Sequence, residues 1–181
     1  MAIWFHPQRG AVVTDEPLNR RWYRHRGGSD DAWRQILEPL PETFLRGDAS
    51  QQTFGMGGPI EVFGPLERTC RDCDETFLFT AAEQKHWYET LRFNIDATAV
   101  RCLPCRKVIQ HQRAYTEAVE RARADPSART HLDVARAALA WRKLGGKAPR
   151  EKAVMHCRKA KQLGSSSSDS VMKAIADAWG R

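Results

Sequence analysis

Two Cys-x-x-Cys pairs, Cys70/Cys73 and Cys102/Cys105, stand with 28 residues between them and constrain this chain more than any other feature. A pair at this spacing puts two sulfurs on one side of a tight turn. A second pair, brought in from far along the chain, completes four ligands around one point. Four thiolates are the donor set of a zinc ion held in a tetrahedron at about 2.3 Å. With four protein ligands no position is open for water, so such an ion staples the chain and does not catalyse. Disulfides are the alternative in an oxidising compartment. The N-terminus, Met1-Ala2-Ile3-Trp4-Phe5-His6-Pro7, has no basic segment followed by an apolar core. Nor is there a run of about 18 apolar residues that would span a membrane. The expectation is a cytoplasmic protein whose paired thiols take metal. Redox chemistry of the thioredoxin kind needs one such pair at a helix start beside a strand. Two pairs accompanied by Arg71 and Arg101 fit that poorly.

The residues between the pairs carry their own pattern. Thr76-Phe77-Leu78-Phe79-Thr80 alternates and predicts a strand with Phe77 and Phe79 on one face. Thr80 and Glu83 make a Thr-x-x-Glu capping box for a helix from Ala81, which carries Gln84, Trp87 and Tyr88 inward. The second pair then starts the next helix. The run from Cys70 through Phe77-Leu78-Phe79-Thr80, Glu83-Gln84 and Tyr88 to Arg101-Cys102-Leu103-Pro104-Cys105-Arg106 resembles a bacterial family described as a "probable zinc-ribbon domain". The resemblance covers about residues 68–107 and departs from the family in a longer interval from Glu89 to Ala99. It implies zinc on Cys70, Cys73, Cys102 and Cys105, and it supplies no activity. His86, close by in sequence, reads as a surface or core residue, because four thiolates already fill the shell.

Charge divides the chain. Residues 1–100 contain 11 Lys/Arg against 15 Asp/Glu, a net of −4, and residues 101–181 contain 18 against 7, a net of +11. A basic half of this kind is the footprint of a polyanion partner. The bland reading is a helical bundle with solvated cations. Arg101, Arg106 and Lys107 flank the second pair, where they either offset the double negative charge of a zinc tetrathiolate or open a phosphate-binding face. Arg113 and Arg121 on the following helix extend the positive charge, although with Arg106 they do not all fall on one stripe, and Arg142, Lys143, Lys147, Arg150, Arg158 and Lys159 are further candidates for phosphate contact.

In chain order, Trp4, Phe5, Val12 and Val13 predict a short hairpin or arm. Arg20 to Arg26 interleaves cations with Trp22 and Tyr23, either for phosphates and bases or as an ordinary surface over buried rings. Ser29 or Asp30 would cap a helix with Trp33, Ile36 and Leu37 at helical spacing, ended by Pro39 and Pro41. Residues 47–59 read as a flexible loop. Its Gly55-Met56-Gly57-Gly58 lacks the Lys-Ser/Thr of a phosphate loop. Ile60, Val62 and Phe63 predict a strand. After Cys105 four helices are expected. They run over about 104–124 (Val108, Gln112, Tyr115, Val119 and Ala122 on one stripe), 126–144 (capped at Asp125-Pro126, stopped by Gly145-Gly146), from Pro149 to Gly164 (Ala153, Val154, Cys157, Ala160 and Leu163 inside) and 169–179. Cys157 reads as a small apolar core residue, and His156 beside it as pointing elsewhere.

The fold class is therefore α+β and α-rich: an irregular N-terminal segment (1–66) with a short helix, a zinc ribbon (67–107) and a basic bundle of about four short helices (108–181). No nucleophile–base set is apparent: His86 and His111 are isolated and the carboxylates are scattered. The leading reading is a zinc protein whose basic helices bind DNA, RNA or a nucleoprotein. An adaptor for an acidic protein partner, using the ribbon and the aromatic arm, is the alternative, and a nuclease is a weaker one.

Overall fold

The computed structural model describes residues 2–14, 33–36 and 39–180. The chain divides into two compact units, Met1–Cys102 and Leu103–Arg181. Among the described residues, five α-helices and three small antiparallel sheets make up the expected α-rich α+β fold.

The N-terminal unit begins with the expected hairpin. Strand β1 (Ala2–His6) pairs with β2 (Gly10–Thr14), bringing Ile3 opposite Val13 and Phe5 opposite Ala11. The other edge of β1 pairs with β3 (Arg34–Ile36), with Phe5 opposite Arg34. This corrects the helix expected through Trp33 and Ile36. Three apolar residues ahead of two prolines make too short a helix to offset the cost of nucleation, and the edge of β1 offers backbone partners instead. Ser29, Asp30, Leu37 and the stretch from Arg20 to Arg26 lie outside the described residues. Phe5, expected on a display arm, is buried.

Strand β4 (Leu45–Arg46) pairs with β5 (Val62–Phe63), and β6 (Leu66–Thr69) with β7 (Thr76–Phe79), where Leu66 lies opposite Phe79. The expected loop 47–59 is closed at its base. The Gln52 side chain donates to Ile60 O (2.9 Å) and accepts from Ile60 N (2.8 Å). Helix α1 (Ala81–Lys85) follows β7 and passes into a π turn at His86–Thr90. Phe5, Phe63, Leu66, Phe79, Ala81, Tyr88 and Ala99 form the core. Gly64 is required there by space: a Cβ would lie 2.5 Å from the Phe44 ring and 2.6 Å from the Phe5 ring.

The C-terminal unit is helical: α2 (Leu103–Ala124), α3 (Ala128–Lys143), α4 (Arg150–Gln162) and α5 (Ser168–Trp179). Helix α3 packs against the other three. Ala118, Ala122, Ala135, Ala138, Ala153 and Ala160 are buried at these contacts, where small side chains bring helix axes close. Its central place also buries Val134. Ser127 caps α3 in place of the expected Asp125. Ser127 Oγ accepts from Thr130 N while Thr130 Oγ1 accepts from Ser127 N, and Asp125 N is still tied to Arg121 O at the end of α2.

Helices α3 and α4 both end at a glycine with positive φ. Gly145 N donates to Arg142 O and Gly146 N to Trp141 O; Gly164 N donates to Lys161 O and Ser165 N to Ala160 O. These crossed bonds satisfy the last carbonyls. Leu163, expected inside, is exposed because it stands past the last turn, and Gln112 is also exposed, with Ala118 buried instead. Cys157 is fully buried as expected, its Sγ bonded to Ser168 O at 3.2 Å.

His156 does not point away from the core. It is buried and faces buried His131 of α3, with the two Nδ1 atoms 2.9 Å apart. Burial holds both imidazoles below the usual histidine range. The facing ring adds to this for His156, and the charge of Lys159 pushes both the same way.

Two outcomes follow from these contacts. Gly64→Ala lowers the urea midpoint of the N-terminal unit, at a cost of about 1–3 kcal/mol for the overpacked rings. The histidine pair makes the helical unit acid-sensitive. Both folded pKa values are depressed, so the unfolded chain takes up protons first. Stability is full above about pH 6.5 and falls as pH drops below it. His156→Gln flattens that slope in a series of thermal melts recorded against pH.

Candidate metal centre

The first pair sits on the turn between β6 and β7. Cys70 N donates to Glu75 O and Asp74 N donates to Cys70 O, both at 2.9 Å, and Asp74 adopts φ +59 to close the knuckle. An aspartate tolerates the left-handed region better than most residues. The second pair opens α2. Cys102 immediately precedes the helix and Cys105 lies in its first turn. Pro104 between them costs no hydrogen bond, because the first N–H groups of a helix have no internal partner. Those free N–H groups and the helix dipole favour thiolates at this end.

One ligand atom from each of Cys70, Cys73, Cys102 and Cys105 falls in a single cluster, all within 4.8 Å of one another. Cys73 Sγ and Cys102 Sγ are 3.7 Å apart. A tetrahedron of metal–sulfur bonds of about 2.3 Å has edges of about 3.8 Å, so the donor set fits such an ion. All five cysteines of the chain are free. Burial opposes ionisation of the Cys70 thiol. Hydrogen bonds from the backbone of Cys102, Asp72 and Cys73 outweigh it and bring its pKa down to about 6. Four protein thiols fill the shell of a tetrahedral ion, which is the donor set of a structural site.

Two contacts hold the knuckles in register. Arg71 N donates to Val100 O at 3.0 Å. Arg101 Nε meets Asp72 Oδ2 at 2.6 Å. Beneath them Thr80 caps α1, its side chain accepting from Glu83 N at 3.2 Å. Gln84, Trp87 and Tyr88 turn inward as expected. Gln84 Nε2 donates to Gly64 O and Phe79 O, and Tyr88 OH donates to Ala97 O. Phe79 packs edge-on to Trp87. Burial raises the Tyr88 hydroxyl to about 12, which keeps it a neutral donor. His86 is exposed and stands outside the cysteine cluster, and so does His111.

The candidate phosphate-contacting cations are spread over several elements. Arg101 is engaged by Asp72, and Arg106 is half-buried. Lys107, Arg113, Arg121, Arg142, Lys143, Lys147, Arg150, Arg158 and Lys159 are exposed. Arg150, Arg158 and Lys159 line one shallow surface of α4, whereas Lys107, Arg113 and Arg121 lie on α2. The Arg142 guanidinium sits 5.9 Å from the centre of the Trp179 ring. His156, expected to point elsewhere, gathers in one groove with Lys159 and with Lys152 and His131, to which the sequence assigns no role. Spacings of i, i+4 and i+7 from Lys152 to His156 and Lys159 are the trace of this in the sequence. His131, 25 residues from its partner, leaves none.

Residues 66–114 match a family model described as a probable treble clef domain. The geometry agrees with it: one cysteine pair on a hairpin knuckle, the other at the start of a helix, with the four sulfurs positioned for zinc. Neither a curated protein nor a solved structure matches the chain. No helix among the described residues is long and apolar enough to cross a membrane.

Cys70→Ser or Cys102→Ser abolishes metal binding, measured by plasma mass spectrometry, and unfolds the region around it. Metal binding of this kind is worth roughly 10–16 kcal/mol, as much as a whole domain's stability. Thr80→Ala weakens the same region by about 1 kcal/mol and leaves the metal content unchanged.

Proposed function

We propose that this is a zinc-stapled protein whose basic C-terminal helices bind the phosphate backbone of DNA or RNA, alone or in a nucleoprotein. The observation that carries this reading is the surplus of unengaged cations. Lys107, Arg113, Arg121, Lys143, Lys147, Arg150, Arg158 and Lys159 are exposed and form no ion pair among the described residues. The ion pairs of the helical unit there are Arg123–Glu120 and Lys161–Asp169. Cations without counter-charges release condensed counterions when they meet a polyanion, and that release drives binding. In the reducing cytoplasm the four thiols stay available for zinc.

A second reading, an adaptor for a protein partner, draws on the N-terminal unit. Thr53 pairs with Asn94, and Ile95 N donates to Thr53 O, which brings exposed Phe54 and Phe93 into neighbouring segments.

The test is an electrophoretic shift on protein purified with nuclease and high salt. If about 6–10 phosphates are contacted, affinity falls about 10³- to 10⁵-fold between about 50 and 200 mM salt. Arg158→Gln lowers the salt slope by about one. Absence of a shift with duplex or single strands in low salt removes the reading, and a defined protein retained after nuclease treatment favours the adaptor.

A further inference from the structure

Helices α2 and α4 flank α3, and a groove of about 570 Å³ runs over it. Its floor is the pair His131 and His156, Nδ1 to Nδ1 at 2.9 Å. Lys152 and Lys159 stand on its α4 side, exposed and without an ion pair among the described residues. From α2 come the uncharged Tyr115 and the pair Arg123–Glu120, which meets at 2.9 Å and neutralises itself. The groove therefore presents two free positive charges and no free negative one.

The hydrogen bonding of the pair restricts its protonation. Two Nδ1 atoms at this distance share one hydrogen: one ring donates and the other accepts. In the neutral pair the accepting ring carries its own proton on Nε2, and the donating ring has a bare Nε2. One added proton, taken from solvent, goes to that bare Nε2. It leaves the central bond intact and gives two Nε2–H donors with a single positive charge. A second proton would put two hydrogens between the Nδ1 atoms and break the bond. The pair is thus a one-proton acceptor. Neither ring has another hydrogen bond among the described residues.

We propose that this groove is a binding site for a phosphoryl anion, held by Lys152 and Lys159, and that the histidine pair takes up one proton as the anion binds. The two effects are linked. Lys159 repels a proton from both rings, and Lys152 repels one from His156. An anion seated between the lysines cancels that repulsion. Whatever raises proton affinity in the complex raises anion affinity at low pH by the same factor.

The inference goes beyond the nucleic-acid reading, and the two fail separately: a protein that shifts no nucleic acid can still bind sulfate here.

The test uses the full metal-loaded chain with sulfate and inorganic phosphate as probes. Sulfate stays doubly charged throughout, so its pH dependence reports the protein alone. Where the anion raises a ring pKa by about one unit, sulfate affinity increases by at most about tenfold as pH falls from about 8 to about 5, because both rings take up protons below the usual histidine range. The imidazole ¹⁵N shifts of His131 and His156 report the added proton. Lys159→Gln, an exposed substitution, weakens sulfate and phosphate binding with the melting temperature unchanged, and His131→Gln abolishes the pH dependence. Displacement of sulfate by an oligonucleotide lacking terminal phosphates supports the site and assigns it to backbone phosphate. Displacement by a nucleoside 5′-phosphate alone supports it and assigns it to a terminal or free phosphate. Absence of sulfate binding to the folded chain at both pH values overturns the proposal. So does binding that is independent of pH, or binding that Lys159→Gln leaves unchanged.

Discussion

Four sulfurs brought within 4.8 Å are the constraint on which the middle of this chain depends. Thiolates at that spacing repel one another strongly unless a cation neutralises them. The surrounding residues are arranged around that demand. Backbone N–H groups aim at Cys70, a helix start faces Cys102 and Cys105, and Arg101 answers the carboxylate carried by the knuckle. The left-handed backbone at Asp74 costs about 1 kcal/mol in isolation. That is small beside the free energy of filling the centre.

The two compact units solve their packing differently. In the N-terminal unit the strands are short and the core is aromatic: Phe5, Phe63, Phe79 and Tyr88 provide the buried area that three two- and three-stranded sheets cannot. In the C-terminal unit the core is mostly alanine and valine, and close helix contacts replace bulky side chains. The cationic side chains then project from helices whose interiors hold almost no charge. Buried polar residues there are His131 and His156, which bond each other through Nδ1, and Ser168, whose carbonyl accepts from Cys157 Sγ.

Where the local pattern was strong, it was legible. The Thr80 cap, the β7 alternation and the glycine stops of α3 and α4 are decided by residues close in sequence, and the four ligands are announced by two local Cys-x-x-Cys pairs, although Cys73 and Cys102 meet across the 28 residues between them. Each can be read from spacing alone. The strand at Arg34–Ile36 is different, because its hydrogen-bond partner lies some thirty residues earlier and no local pattern announces an open strand edge. Distance along the chain also hid the His131–His156 pair. Leu163 looked like one more turn of an apolar stripe, but Gly164 redirects the backbone a residue too soon for it to be covered. Arg101 shows the converse. Its charge left two readings open, the thiolates beside it or a phosphate outside the chain, and Asp72, invisible as a neighbour in the sequence, pairs with it.

The Gln52 side chain bonds both backbone groups of Ile60 and imitates one rung of a β ladder. The segment it closes, Thr53 to Pro59, is mostly exposed and contains three glycines. Its ends are held by an amide and not by its own length. Lengthening a closed loop adds only about 0.6 kcal/mol for each doubling. Between those two residues the chain therefore has a place where evolution can insert new sequence, while the sheet and the knuckle beyond it keep their register.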